Sequence, residues 1–465
     1  MAETVDARGG YRDKVVAVEP GGVEPVAGAD RHGSPRQLAW TWASPNLEFA
    51  TVFVGVLAVS VFGLSFWQAA IAFVLGNGLG SLAHAALSAA GPRYGVPQMV
   101  LGRTAFGYRG NLLPAALMSV MAGIGWFAVN SVSGAFALAA LTGLPVLGCL
   151  VIVVALQIVI AFFGHNLVQA YEKYAFIVLA VVFAAAAVVT FAKSSPGAAA
   201  ATGGTGGFLL AVGTAFGYTA GWNPYAADYT RYLPRTASPR AVGAYAGVGL
   251  FISTTVLMLT GAASTTIAGP SGDNPAAAFT GHLPAFLAAA TLLAIALGAV
   301  AANVLNVYSG ALAFLAMGVR LPLAWRRAAV ALAFGAVGFV LAWLGLSDAG
   351  AAYENFLLVI AYWIGPWLGV VLVELYRRRK VDVGPLLADP RTRNWPGFFS
   401  FLAGLVVSVA LFANQALYVA PVPRAVPAVG DLTFAVGFVL AAGLYLVLGR
   451  GVSSTGHRAR LRGLP

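Results

Sequence analysis

Gly213-Thr-Ala-Phe-Gly-Tyr-Thr-Ala-Gly-Trp-Asn-Pro-Tyr-Ala-Ala-Asp-Tyr-Thr-Arg231 is an apolar run that carries its own interruption. Gly217, Gly221, Asn223 and Pro224 fall within eight residues of one another. Glycine weakens a helix and proline removes a backbone donor, so the spacing predicts a helix that unwinds part-way along. At membrane depth, irregular backbone is tolerated only where it is buried in protein or lines a water-filled cavity. Whether this run lies in a membrane therefore decides both the fold and the place to look for function.

Composition answers that question. The 465 residues are 59% hydrophobic and 9% charged, with a mean hydropathy of +0.82, whereas a soluble domain carries about 25% charged residues. Apolar runs of helical crossing length lie at roughly 42–65, 67–89, 112–141, 144–164, 173–192, 207–226, 241–268, 284–317, 325–346, 352–376, 397–418 and 431–449. These runs are apolar on every side, unlike the alternating strands of a membrane barrel. The reading is an all-α integral membrane protein of about twelve transmembrane helices.

The formal net charge of +11 could suggest nucleic acid, but its placement says otherwise. With the N-terminus inside, 25 of the 27 Lys and Arg residues fall in segments on the inner side, and only Lys193 and Arg424 fall outside. This is the positive-inside pattern that orients membrane proteins, not a basic stripe on one folded face. It places a multi-pass chain in the cell membrane with both ends in the cytoplasm. Residues 1–38 are polar and rich in Gly, Pro and charge, and are expected to be a disordered cytoplasmic tail. Residues 39–450 form the twelve-helix domain, and 451–465 a second cytoplasmic tail. Cys149 is the sole cysteine and lies in an apolar span, so no intrachain disulfide is possible.

The first span carries Gly55 and Gly63 with Ser60 and Ser65, and begins with Asn46 and Glu48. Spans one and six lie five apart, the spacing of a 5+5 inverted repeat in which each half opens with a broken helix. Two C-terminal helices complete the twelve.

Polar groups inside such spans are costly and are functional candidates by default, with helix–helix adhesion as the competing explanation. In the third span Trp126 and Asn130 are four apart and share a face. An indole beside an amide suits a flat polar heterocycle, stacked by one group and read at its edge by the other. Asn303 and Asn306 share a face of the eighth span. Tyr218 and Trp222 flank the break of the sixth, either one able to close a second aromatic wall. Asp228 and Arg231 follow, most simply as an ion pair at the helix end. Glu48 reads either as a helix-start carboxylate favoured by the dipole or as a proton-coupling group. His84 reads as a buried, hydrogen-bonded histidine, and Gln157, Thr190 and Thr291 as ordinary.

Three blocks carry a resemblance to a known family. They are Val61-Phe-Gly-Leu-Ser-Phe66 through Gly91-Pro-Arg-Tyr-Gly-Val-Pro-Gln-Met-Val-Leu-Gly-Arg-Thr-Ala-Phe-Gly107, then Gly125-Trp-Phe127 with Asn130, then Gly221-Trp-Asn-Pro-Tyr-Ala-Ala-Asp-Tyr-Thr-Arg-Tyr232. Over roughly Trp40 to Arg393 the chain resembles the nucleobase–cation symporter family of purine and cytosine permeases. The resemblance implies a LeuT-like broken-helix fold, alternating access, and a ring sandwiched between a third-span Trp and a sixth-span aromatic. On this chain those positions match Trp126 and either Trp222 or Tyr218, although an ungapped count back from Asp228 reaches Thr219 instead. The eighth-span amide matches Asn303 or Asn306, and Asn130 matches a third-span amide of some members. Sodium-coupled members carry hydroxyl residues just before the eighth-span Asn, where this chain has Ala301 and Ala302. A hard cation needs oxygen ligands, so the expected coupling ion is a proton rather than sodium, with Glu48 and Asp228 as candidate coupling groups.

The expected function is import of a nucleobase such as cytosine, adenine, guanine or hypoxanthine. A related ring (hydantoin, allantoin or a vitamin-like heterocycle) is the runner-up, and an amino-acid transporter on the same fold is a further class. No nucleophile, metal cluster or acid pair argues for an enzyme, and no nucleotide-binding loop argues for direct use of ATP. No cofactor, nucleic acid or obligate protein partner is expected; the partners are the small-molecule substrate and the lipid bilayer.

Overall fold

A computed structural model describes residues 22–162, 165–197, 201–267, 274–319, 323–346 and 349–449. The first expected span is α1 (Gln37–Ala43) and α2 (Phe49–Ser60), joined by a 3-10 turn at Ser44–Asn46. It is followed by α3 (Phe66–Ser88). The third span joins α4 (Leu112–Val120), a π-helical turn at Met121–Trp126 and α5 (Phe127–Thr142). Then come α6 (Val146–Phe162) and α7 (His165–Lys193). The sixth span is α8 (Gly204–Ala220), a 3-10 turn at Asn223–Tyr225 and α9 (Ala226–Thr230). It leads to α10 (Pro239–Ser264), α11 (Ala285–Ala316), α12 (Leu323–Gly345), α13 (Ala349–Arg377), α14 (Trp395–Phe412) and α15 (Thr433–Leu448). Among the described residues seven helices are long and apolar enough to cross a membrane, and α1–α2 makes an eighth as a pair bent by 58°.

The breaks differ from the sequence expectation in instructive ways. The first span starts earlier than residue 42, and its break falls at Leu47–Glu48, ahead of the glycines. Glu48 is extended, with φ −151° and ψ 170°. Pro45 in the turn just before cannot donate to the preceding helix, which ends α1. Gly55 stays helical; a side chain there would strike the Met258 carbonyl of α10, so its smallness serves close packing. Gly63 supplies a left-handed turn, φ +67°, after α2 has ended. In the sixth span Gly221 through Tyr225 keep near-helical angles and tighten into a 3-10 turn, because the missing Pro224 donor ends the α-helical ladder without opening it fully. The eleventh run stops sooner than expected, at Phe412, where Asn414–Gln415 pairs with Tyr418–Val419 in a two-stranded hairpin.

Helices α1 and α2 pack on α10, and α3 packs on both α8 and α10. Helix α5 packs on α11, α6 on α11 and α12 on α5. Helices α13 and α14 both pack on α15. Large apolar side chains such as Leu82, Val188 and Val439 face outward, as an apolar solvent requires.

Several arginines that were read as orientation signals also tie loops together. Arg103 donates to the Leu387 and Ala316 carbonyls at 2.8 and 2.9 Å, and Arg93 to those of Arg379 and Val381. The Tyr108 amide donates to Thr392 O at 2.9 Å. The long loop after α13 is thereby fastened to the loop after α3. The expected N-terminal tail divides at Gly22. Residues before it lie outside the described residues, as do 450–465. The stretch from Gly22 to Arg36 rests on the bundle: Val26 N donates to Gly95 O, His32 N to Tyr232 O, and the buried Arg231 to Gly22 O at 2.7 Å.

Candidate functional site

The π-helical turn at Met121–Trp126 accommodates an extra residue per turn and shifts the face that α5 presents. Its last residue, Trp126, is 4% exposed. Three rings stand edge-on to it: Tyr218 at 5.3 Å, Phe356 at 5.2 Å and Tyr353 at 6.3 Å between centroids. Tyr353 and Phe356 also line a cavity of about 200 Å³ with Phe49, Phe53, Gly125 and Val129.

The break in the first span brings Glu48 to the hydroxyl of Tyr218, the ring that stands on Trp126. Its carboxyl is 1% exposed. Tyr218 donates to Glu48 Oε1 at 3.2 Å and lies 2.5 Å from the Thr51 hydroxyl, which in turn donates to Asn46 O at 2.6 Å. Glu48 Oε2 makes no hydrogen bond of good geometry among the described residues. Across from it, α11 brings Gly298 against the break. A Cβ there would sit 2.6 Å from Leu47 O and 3.0 Å from Glu48 Cβ. Because one of these atoms is backbone, Gly298→Val is expected to displace the break. Uptake should fall at least about tenfold while the protein still reaches the membrane, read by transport assay beside surface immunodetection.

One turn beyond Trp126, Asn130 Nδ2 donates to Asn303 Oδ1 at 3.0 Å, and Asn306 Nδ2 donates to the same oxygen at 3.2 Å. Asn303 Nδ2 donates to Phe127 O and Ser131 Oγ at 2.8 and 3.2 Å. Ser131 Oγ in turn donates to Gln157 Oε1, and Gln157 Nε2 to Ala299 O. Asn303 is thus saturated and acts as adhesion between α5 and α11. Asn130 is different: its Oδ1 is buried and has no partner among the described residues. Asn306 accepts from Tyr225 at 2.7 Å, linking α11 to the sixth-span turn.

The two sixth-span aromatics separate clearly. Tyr218 meets Trp126. Trp222 turns away: Nε1 donates to Asn46 Oδ1 at 2.9 Å, and its ring packs on Trp42 and Tyr225. Thr219, reached by the ungapped count, donates to Asn77 Oδ1 at 2.5 Å and faces α3. Asp228 Oδ1 accepts the Gln98 amide at 2.8 Å, which fixes the loop after α3. Arg231 reaches the hydroxyls of Tyr232 and Tyr308 as well as Gly22 O. His84 is fully buried with Trp42 edge-on at 4.2 Å, well packed but without a hydrogen bond of good geometry. Sequence reasoning did not single out Tyr353 or Phe356, and it passed over Gln157 as ordinary. No group of His, Cys, Asp and Glu among the described residues could hold a metal ion.

Trp126 is linked through Tyr218 to the Glu48 carboxyl at the first-span break, and Asn130 lies one turn further along the same span as Trp126. The profile of permeases for cytosine/purines, uracil, thiamine and allantoin matches residues 25–437. The chain belongs to that permease family. This permease is 29% identical to the purine-cytosine permease fcyB of Emericella nidulans, over 93% of its own length and 88% of that protein. It is also 29% identical to the purine-cytosine permease FCY2 of Saccharomyces cerevisiae, over 92% and 85%. Its backbone superposes on Mhp1, a nucleobase-cation-symport-1 family transporter solved in a closed conformation with bromovinylhydantoin bound. The TM-score is 0.72 at 19% identity, covering 93% of the permease and 96% of Mhp1. That likeness establishes the fold. The permease is a multi-pass membrane transporter, not an enzyme.

Proposed function

We propose that this permease imports a nucleobase, cytosine or a purine, by proton symport with alternating access, from a cell membrane in which both its ends face the cytoplasm. The observation that carries the reading is the buried Trp126 one turn from Asn130, whose oxygen has no partner among the described residues, a stacking surface and an edge reader on one helix. The names of the purine-cytosine permeases that it resembles support the substrate class. Helix packing supports the inverted repeat. The first span lies on the seventh (α10) as the sixth (α8) lies on the second (α3), and α6 on α11 as α12 on α5. These two pairs of contacts between the halves are exchanged when spans one to five are swapped with six to ten. Buried methyl groups at Ala301 and Ala302, in place of hydroxyl ligands, favour a proton over sodium, and Glu48 is the carboxyl placed to carry it.

The test is uptake of labelled cytosine, adenine, hypoxanthine and uracil in cells lacking their own base permeases. Uptake should persist without sodium and collapse with a protonophore. Asn306→Ala, which strips the acceptor from Tyr225, should abolish it. Strict sodium dependence would reverse the choice of ion. Uptake competed by allantoin or hydantoin and by no base would move the assignment to the runner-up substrates.

A further inference from the structure

Glu48 has been treated so far as a group that carries a proton. Its surroundings assign it more. The carboxyl sits on extended backbone between two helices, held from one side by Tyr218 on α8 and crowded from another by Gly298 on α11. The titratable groups facing it are Tyr218 and, on α13, Tyr353, whose hydroxyl donates to Ala50 O at 3.0 Å. Among the described residues no cation touches the carboxyl; the Ala50 amide faces it, and Oε2 makes no hydrogen bond of good geometry. Buried polar atoms are nearly always satisfied, so an orphan of this kind marks where something else supplies the partner. The residues that follow it, Phe49 and Ala50, line the cavity bounded by Tyr353 and Phe356, the two rings that pack on Trp126.

We infer that Glu48 binds the base itself, through two hydrogen bonds along an edge that presents one donor beside one acceptor, and that the single proton shared in this pair is the coupled proton. The inference rests on the nucleobase reading of the site and gives the ion and the substrate one common site. The chemistry is balanced whichever partner holds the proton. A protonated carboxyl donates from one oxygen to the acceptor of the base and accepts at the other from its donor. For an amino-imine edge, such as that of cytosine or adenine, the proton can instead sit on the ring nitrogen and be donated back to the carboxylate. Either way the complex holds one proton, and a carboxylate facing a neutral base edge without it has two acceptors against one donor. Base and proton therefore bind together or not at all.

The purified permease in lipid nanodiscs, titrated with labelled cytosine across pH, tests this. Where free Glu48 is ionised, affinity should fall about tenfold per pH unit as pH rises, the slope of one linked proton. Glu48→Gln keeps one donor and one acceptor but has no proton to exchange. It should bind cytosine with affinity independent of pH, and in proteoliposomes should exchange base without accumulating it under an imposed pH gradient. Glu48→Leu should weaken binding roughly 10- to 100-fold, the loss of two hydrogen bonds. Bases methylated across this edge should fail to compete in the wild type.

Equal cytosine affinity in Glu48→Leu and the wild type would overturn the inference, leaving Glu48 at most a coupling group remote from substrate. So would accumulation by Glu48→Gln, a nearly isosteric variant that keeps the test open if the Leu variant misfolds. Failure of the wild type to bind any base would instead sink the nucleobase reading beneath it.

Discussion

Trp126→Ala is expected to leave a folded permease that no longer takes up base at measurable rates. Two effects need separating, because the indole is the proposed stacking face and is also part of a packed cluster. Stacking of a base on an aromatic side chain contributes about 1–3 kcal/mol by alanine substitution, or roughly a 5- to 150-fold loss of affinity. Truncation of a buried Trp also costs about 3–5 kcal/mol of stability where the site cannot collapse, and Tyr218, Tyr353 and Phe356 all lean on this ring. Trp126→Phe keeps a ring in the cluster with a smaller face. It should restore most of the thermal stability and only part of the uptake. If the Phe and Ala variants transport alike while differing in stability, the indole is packing and not a binding surface.

A second large effect should come from the amide cluster, where the two neighbours Asn130 and Asn303 are expected to behave differently. Asn303 makes four hydrogen bonds: two accepted, from Asn130 and Asn306, and two donated, to Phe127 O and Ser131. Hydrogen bonds between membrane helices average about 0.6 kcal/mol each, and orphaned partners add to the loss. Asn303→Ala should therefore cost about 2–4 kcal/mol, lowering the midpoint of thermal unfolding in detergent and uptake with it. Asn130→Ala removes one such bond and the unpartnered Oδ1. Its unfolding midpoint should stay within a few degrees of the wild type while uptake drops at least about tenfold. Equal destabilisation by the two variants would mean that both amides are adhesion and that the base is read elsewhere.

The contrast between these two asparagines shows what the sequence could reveal. Amides inside an apolar run are conspicuous, so Asn130, Asn303 and Asn306 could be found from spacing alone. Which one is saturated depends on partners that are far apart in the chain, such as Phe127 O for Asn303 and Tyr225 for Asn306. Helix positions were legible for the same reason as the amides: the apolar runs are long and the loops short. The first-span break was misplaced because glycine has two uses. Gly55 looks like a hinge in the sequence and serves instead as a contact surface. Pro45 was the better signal, since it removes a donor whatever packs nearby. Tyr353 and Phe356 stayed hidden because an aromatic in an apolar span reads the same whether it meets lipid, core or Trp126. Tyr218 and Trp222 differ in their partners, Glu48 and Trp126 for one and Asn46 and Trp42 for the other, and these have no counterpart in spacing.

Gly55 and its counterpart Gly261 have a mechanical consequence. A side chain at Gly55 would strike the Met258 carbonyl on α10, and one at Gly261 would strike the Val52 carbonyl on α2. The two helices are therefore in backbone contact at two places, just under one turn apart on each helix, from Val52 to Gly55 and from Met258 to Gly261. Two surfaces that interlock without intervening side chains have no flexible layer in which to slip. Helices α2 and α10 form one strut, and a change of shape in this molecule must turn about the strut and cannot pass through it.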